Sequence, residues 1–332
     1  MAYRGTNDLV LADGAGVEGV DAHSPSAADS GSKRVYSDLL RGIRVESSVA
    51  FWPEFRAPWG VSVERDWAVF HIVAQGTCWM QVRGVREPVE LREGDFVVII
   101  RGQFHTLGDR LSTPVVNFFH LVKLQAPSNR AAMSFGGTGT VTKLVCGGML
   151  VENRRINPLL AILPPLLHVK RADESAQHWL GFSTRQILSE LDSERTGAKE
   201  IINRLADLLF VVAVRSYFEQ NTETNAPGWL AGVRDPQIGA ALAMLHRRPH
   251  QNWTLASLAR RLAMSRSSFA ARFTELVGEP PQQYCTRLRI HAAAVRLRTT
   301  ADKLSAVAAI AGYQSESSFV RAFRRHAGMT PG

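Results

Sequence analysis

The C-terminal part of the chain contains one pattern twice, and this repetition limits the fold more than any other feature. TLASLARRLAMSRSSFAARFTELVGEPP spans 254–281, and LSAVAAIAGYQSESSFVRAFRRHAGMTP spans 304–331. At an offset of 50, Ser265, Ser267, Ser268, Phe269, Phe273, Gly278 and Pro281 match Ser315, Ser317, Ser318, Phe319, Phe323, Gly328 and Pro331. Upstream the register shifts by one, Ala259 against Ala308, so the second turn is one residue longer. Leu255, Leu258, Ala259 and Leu262 fall at i, i+3, i+4 and i+7, one buried helix stripe; Leu304, Val307, Ala308 and Ala311 repeat it. Ser265 and Ser315 suit the N-cap, whose hydroxyl accepts from a free backbone N–H. Gly278 and Gly328 suit the left-handed C-terminal position, with proline just beyond. Each copy therefore reads as helix, tight turn, capped helix: a helix-turn-helix, at about 254–278 and 304–328.

Charge supports this reading. Residues 234–332 carry 15 Lys and Arg against 5 Asp and Glu, a net +10, while the whole chain carries +9. The excess positive charge thus lies in the segment that holds the repeats, as expected of a module that sits on phosphates. A merely solvated basic surface or a plain helical bundle would not need two capped units in register. Double-stranded DNA is the expected partner.

The segments WTLASLARRLAMSRSSF, QQYCTRLRIHAAAVRLR and VAAIAGYQSESSFVRAFRRHAGMTP resemble the DNA-binding domain of the AraC/XylS family of bacterial regulators, over 234–332. The resemblance implies two units joined by a helix at about 283–298, reading two successive major grooves, and RNA polymerase as a further partner. With the phenylalanines inward, Arg266, Ser267, Ala270, Ala271 and Thr274 face out in the first unit. Glu316, Ser317, Val320, Arg321 and Arg324 face out in the second. Arg321 is the foremost base-contact candidate, since a guanidinium pairs with guanine O6 and N7; Glu316, Ser317, Val320, Arg266, Ser267, Ala270 and Ala271 complete that set. Family members often carry Arg at the position of Ala271, so readout by the first unit is expected to be weaker here. Arg260, Arg261, Ser265, Ser315, Arg324 and Arg325 are phosphate-contact candidates. Arg287, Arg289, Arg296 and Arg298 are either phosphate neutralisers or surface charge, with Arg289 alternatively a structural ion-pair partner.

Ahead of this domain the pattern changes. Residues 1–32 are rich in Gly, Ala, Asp and Ser without periodicity, a disordered leader. VYSDLLRGIRVE (35–46) suits a short helix leading into a strand. Trp67–Val73, Thr77–Val82, Phe96–Ile100 and Val115–Val122 are short β-type runs separated by Gly-containing turns, which suggests a small barrel or sandwich. From about 158 to 219 the pattern is helical; Ile201, Leu205, Leu208 and Val212 form an apolar stripe. That face either mediates homodimerisation or is buried within its own chain. The expected organisation is multi-domain α+β: a cupin-like β-barrel sensor domain at 33–175, a helical dimerisation or linker region at 176–220, a linker at 221–233, and the all-α double helix-turn-helix domain at 234–332.

The sensor region resembles the cupin-type ligand-binding domain of one AraC subfamily, over roughly 35–170. Gly94, Gly102 and His105 fit the second cupin motif, with Ile100 where proline is usual. The His-x-His of the first motif is missing, and His71 stands alone. A catalytic metal needs about three protein ligands, so no metal or cofactor is expected, although His71, His105 and His120 share this half. Pocket candidates for a small-molecule effector are His71, Trp79 and His105. The rival from another class is a metal-dependent cupin enzyme carrying a DNA-binding tail; a non-specific chromatin-type protein is a third reading. Cys78, Cys146 and Cys285 make neither a disulfide framework nor a zinc pattern. No apolar run reaches membrane-spanning length, and no secretory signal is legible, so a cytoplasmic regulator, an effector-responsive activator, is expected.

Overall fold

The computed structural model describes residues 35–37, 40, 44–124, 132–151, 156–193, 195–221 and 229–331. The expected leader, and all of the linker NTETNAPG after Asn221, lie outside the described residues.

Two β-sheets face each other in the N-terminal half. One holds β1 (Val45–Phe51), β2 (Glu54–Arg56), β4 (Ala68–Gln75), β7 (Phe96–Ile99), β10 (Ser134–Gly136), β11 (Val141–Val151) and β12 (Leu166–Val169). The other holds β3 (Gly60–Val63), β5 (Thr77–Val82), β6 (Val89–Arg92), β8 (His105–Gly108) and β9 (Val116–Asn117). The sheets stay separate, a jelly-roll-like arrangement in place of a closed barrel. β4 and β7 are nearly continuous apolar runs because both of their faces are covered. Phe70, Ile72, Phe96 and Val98 pack toward the helices, while Val73, Val97 and Ile99 fill the space between the sheets.

The covering helices are α3 (Glu174–Leu191) and α4 (Ala198–Gln220), an antiparallel pair. Asp207, which breaks the apolar run of α4, has a structural reason. Its Oδ1 accepts from Ser47 N–H at 2.7 Å, and Asn203 Oδ1 accepts from Val49 N–H at 3.1 Å. Two polar side chains of α4 thus satisfy N–H groups along the edge strand β1.

Three expectations are corrected. Val115–Val122 is not one strand: β9 gives way at Phe118 to α1 (Phe118–Leu124), because Asn117 Oδ1 accepts from His120 N–H at 3.1 Å and Phe118 and Leu121 are buried at i, i+3. The stretch from 158 is not wholly helical, since β12 follows α2 (Pro158–Ile162) and pairs with β7. The linker expected at 221–233 contains α5 (Trp229–Arg234), anchored by buried Trp229. The stripe on α4 also divides: Val212 is buried, whereas Ile201 is exposed.

The C-terminal half comprises α5, α6 (Pro236–Arg247), α7 (Leu255–Arg261), α8 (Arg266–Val277), α9 (Pro281–Thr299), α10 (Leu304–Ile310) and α11 (Glu316–Ala327). α9 serves both units: Tyr284, Cys285 and Leu288 pack with the first, Ile290, Ala293 and Ala294 with the second. Trp229 Nε1–H donates to Tyr284 Oη at 3.2 Å, and Tyr284 Oη lies 2.6 Å from His246 Nε2. Burial pulls His246 down to about 3, so the ring is neutral and accepts the tyrosine proton. Ile156, just ahead of α2, is buried in the core of the second unit with Ile290, Val307 and Phe323.

Candidate nucleic-acid interface and sensor cavity

The two units are built alike. Ser265 Oγ accepts from Ser268 N–H at 3.1 Å, and Ser315 Oγ accepts from Ser318 N–H at 3.2 Å. Phe269, Phe273, Phe319 and Phe323 are buried, each pair meeting edge to face at 5.6 Å. Gly278 and Gly328 close α8 and α11 at φ 86° and 79°. The turns differ by one residue but use the same device: Ala263 (φ 52°) and Gly312 (φ 83°) both take the left-handed conformation.

The outward faces differ in charge. On α11, Glu316, Ser317, Arg321, Arg324 and Arg325 are exposed and Val320 is half-buried; among the described residues no carboxylate pairs with the three arginines. On α8, Arg266, Ser267 and Ala271 are exposed, with Ala270 and Thr274 half-buried. Its remaining cation, Arg272, is committed: Nε donates to Asp235 Oδ2 at 2.9 Å, while Asp235 Oδ1 caps α6. Arg260 and Arg261 are exposed on α7, the latter 5.6 Å from the Trp253 ring. Arg289 is not an ion-pair residue among those described. It reaches the second turn, where a Cβ on Gly312 would meet its Nη1 at 3.1 Å. Arg287 instead pairs with Glu279, and Arg296 with Asp302.

Between the sheets lies an apolar cavity of about 140 Å³, lined among others by Phe51, Phe55, Phe118, Leu107, His71 and Cys146. Cys146 sits opposite His71 in the β11–β4 register, and a directional chain follows. His105 Nδ1 is 2.8 Å from the Gln103 carbonyl, which only accepts, so Nδ1 carries the proton. Burial pulls His105 down to about 4, leaving Nε2 a bare acceptor. His71 Nε2–H donates to it at 3.0 Å. His71 is held neutral, well below the usual histidine range, by burial and by His105. Its Nδ1 therefore accepts the Cys146 thiol proton at 3.0 Å, and burial raises the Cys146 pKa, which keeps the thiol protonated.

These residues do not fit a cupin metal. The two imidazoles point at each other instead of converging on a common point, and among the described residues no group of three His, Cys, Asp or Glu is arranged to hold an ion. His120 lies exposed on α1.

A family model described as "Cupin" matches residues 34–219, and one described as "Helix-turn-helix domain" matches 258–332. An AraC-like transcription regulator of Streptomyces lividans is 36% identical over 297 residues, 89% of this chain and 95% of that protein. The chain belongs to the AraC-like transcription regulators. The AraC-like fold here is a cupin domain followed by a helical DNA-binding domain, and the protein is a DNA-binding transcription regulator. The HTH-type transcriptional regulator AlkR of Acinetobacter baylyi is 26% identical over 89% of this chain and 96% of its own. The DNA-binding domain of AdpA in complex with a target DNA is 31% identical, covering 29% of this chain and 86% of that one, at a TM-score of 0.28.

For this AraC-like chain, the cavity revises the pocket candidates. His71 lines it and His105 stands behind His71, but Trp79 does not line it. Cys78, Met80 and Val82 point inward from β5, and the period of 2 turns Trp79 to the outer face. Sequence reading missed Arg65, Phe118 and Cys146. No local signal marks Cys146, which meets His71 only through strand pairing 75 residues away. Among the described residues, no helix is long and apolar enough to cross a membrane.

Proposed function

We propose that the two recognition helices divide the work of reading DNA, with α11 supplying direct base readout and α8 supplying shape and methyl contacts. The carrying observation is the charge contrast: Arg321, Arg324 and Arg325 are exposed without carboxylate partners among the described residues, while Arg272 on α8 is tied to Asp235. Arg321 reads a base edge, with Glu316, Ser317 and Val320 beside it. Arg266 and Ser267 approach bases from the first unit, where Ala270 and Ala271 pack on thymine methyls. Arg260, Arg261, Arg324, Arg325 and the capping residues Ser265 and Ser315 hold phosphates.

The cupin cavity takes a small-molecule effector, and its role is regulatory, not enzymatic. The closed Cys146–His71–His105 chain supports this, since it spends its polar atoms on itself. The protein works as a cytoplasmic homodimeric activator that contacts RNA polymerase. The half-exposed Trp179, Phe182, Ile201 and Val211 on α3 and α4 support a second copy docking there. Domain limits follow as a sensor at 33–175, a dimerising helix pair at 176–220, and a DNA-binding domain that begins at Trp229.

Binding-site selection on full-length variants tests the division of labour. Arg321→Ala should relax the preference at one base pair, at a cost of about 1–3 kcal/mol. Arg260→Ala should weaken all sequences alike and lower the salt slope by about one unit. An unchanged preferred sequence for Arg321→Ala would reduce Arg321 to a phosphate anchor.

A further inference from the structure

We infer that the effector is a compact aromatic acid, its ring enclosed between the sheets and its carboxylate held by Arg65 at the mouth. This deepens the reading of the cupin cavity as an effector site and rests on it.

Three observations define the ligand. The first is volume: the cavity encloses about 140 Å³, and an apolar cavity of roughly 150 Å³ takes up one benzene. A single ring fits; a long alkyl chain does not. The second is the chemistry of the walls. Phe51, Phe55 and Phe118 offer ring contacts, and Phe51 meets Phe118 edge to face at 5.1 Å. At the floor, the thiol proton of Cys146 and both nitrogens of His71 are already used within their chain. The floor therefore presents a polarisable sulfur, which favours an aromatic edge, and offers no free strong donor to a sugar or a polar head.

The third is the placement of charge. Arg65 precedes β4 and lines the same cavity, which opens beside the exposed Trp67 and Ala50. Its guanidinium lies 3.2 Å from the Phe119 ring centroid and 5.4 Å from that of Trp67. Its Nη1 donates to the Glu64 carbonyl at 3.3 Å, and no carboxylate pairs with it among the described residues. Burial lowers the pKa of this group, although Asp66 nearby opposes the effect. A cation stacked on aromatic rings at the rim of an apolar cavity, with most of its donor fork unused, is matched by a planar carboxylate attached directly to a ring. The ring would then extend toward Cys146.

The test uses the full-length protein, with calorimetric titration, thermal melting and the affinity for its selected DNA site as readouts. The probes are benzoate, toluene, which keeps the ring and lacks the carboxylate, and decanoate. Benzoate should bind and raise Tm, and toluene should bind at least tenfold more weakly. Decanoate should bind more weakly than benzoate. Arg65→Gln should erase the preference for benzoate over toluene while leaving toluene binding and the melting curve of the free protein in place. Val63→Phe, which fills the cavity, should abolish both. Equal binding of benzoate and toluene, or a preference for benzoate that survives Arg65→Gln, overturns the acid assignment but leaves the cavity as a ligand site. Tighter binding of decanoate overturns the size limit. No binding by any probe overturns both the inference and the effector reading. Benzoate binding with no change in DNA affinity overturns the effector reading alone.

Discussion

Arg272 on the first recognition helix is bound to Asp235, the residue that caps α6. One carboxylate therefore does two jobs: Oδ1 accepts from Gln237 and Ile238 N–H at 3.0 and 2.8 Å, and Oδ2 takes Arg272. Asp235→Ala should cost about 1–2 kcal/mol from the lost cap. Arg272→Ala breaks a half-exposed pair and should cost under about 1 kcal/mol. Because its charge is already matched, Arg272→Ala should leave the salt slope of DNA binding unchanged. A slope lowered by about one unit would make Arg272 a phosphate contact after all.

Ala263 and Gly312 occupy matching left-handed positions with unequal comfort. A non-glycine residue there costs roughly 1–2 kcal/mol. Ala263→Gly should raise the unfolding midpoint by a fraction of that, because the unfolded chain also gains freedom. Gly312→Ala should lower it, since the new methyl adds a tight approach to Arg289 Nη1 at 3.1 Å. Chemical denaturation of both variants reads the two signs.

Ile156 belongs to the cupin half in sequence but to the second unit in packing. Ile156→Ala should therefore destabilise by about 2–5 kcal/mol, the range for a buried aliphatic truncation. The loss should fall on the second unit, with amide exchange quickening in α10 and α11 but not in α7 and α8. Uniform quickening would mean that Ile156 only supports the fold as a whole.

Four histidines, His71 and His105 buried and His246 and His291 half-buried, set a pH window. Burial lowers His71, and holds His105, His246 and His291 at about 4, 3 and 4. A depressed native value means the unfolded chain binds protons first as pH falls. Stability is thus complete above the ordinary histidine value of about 6.5 and is lost on the way down toward 4, at about 1.4 kcal/mol per pH unit for each group that titrates. Urea midpoints should fall steeply between pH 6.5 and 4.5. His246→Gln, which keeps an acceptor for Tyr284, should flatten the slope by one group's share; an undiminished slope would exclude His246 from the set.

The sequence by itself determined the two helix-turn-helix units nearly to the residue, because every device that makes them is local. Caps, i, i+4 phenylalanines and left-handed glycines act within a turn or two of chain, and a second copy in register confirms the first. It also located β4, β5 and β7 by their β-branched and aromatic runs. Tertiary structure alone decided the rest. Only strand pairing brings Cys146 to His71, and only the β5 pleat turns Trp79 away from the cavity. Whether Val115–Val122 continues as a strand depends on the sheet ending at Asn117, and β12 exists because β7 offers it an edge. Ile156 joins the second unit through contacts more than a hundred residues distant. Pairing and packing across such separations leave no periodicity in the chain, so local propensity cannot report them.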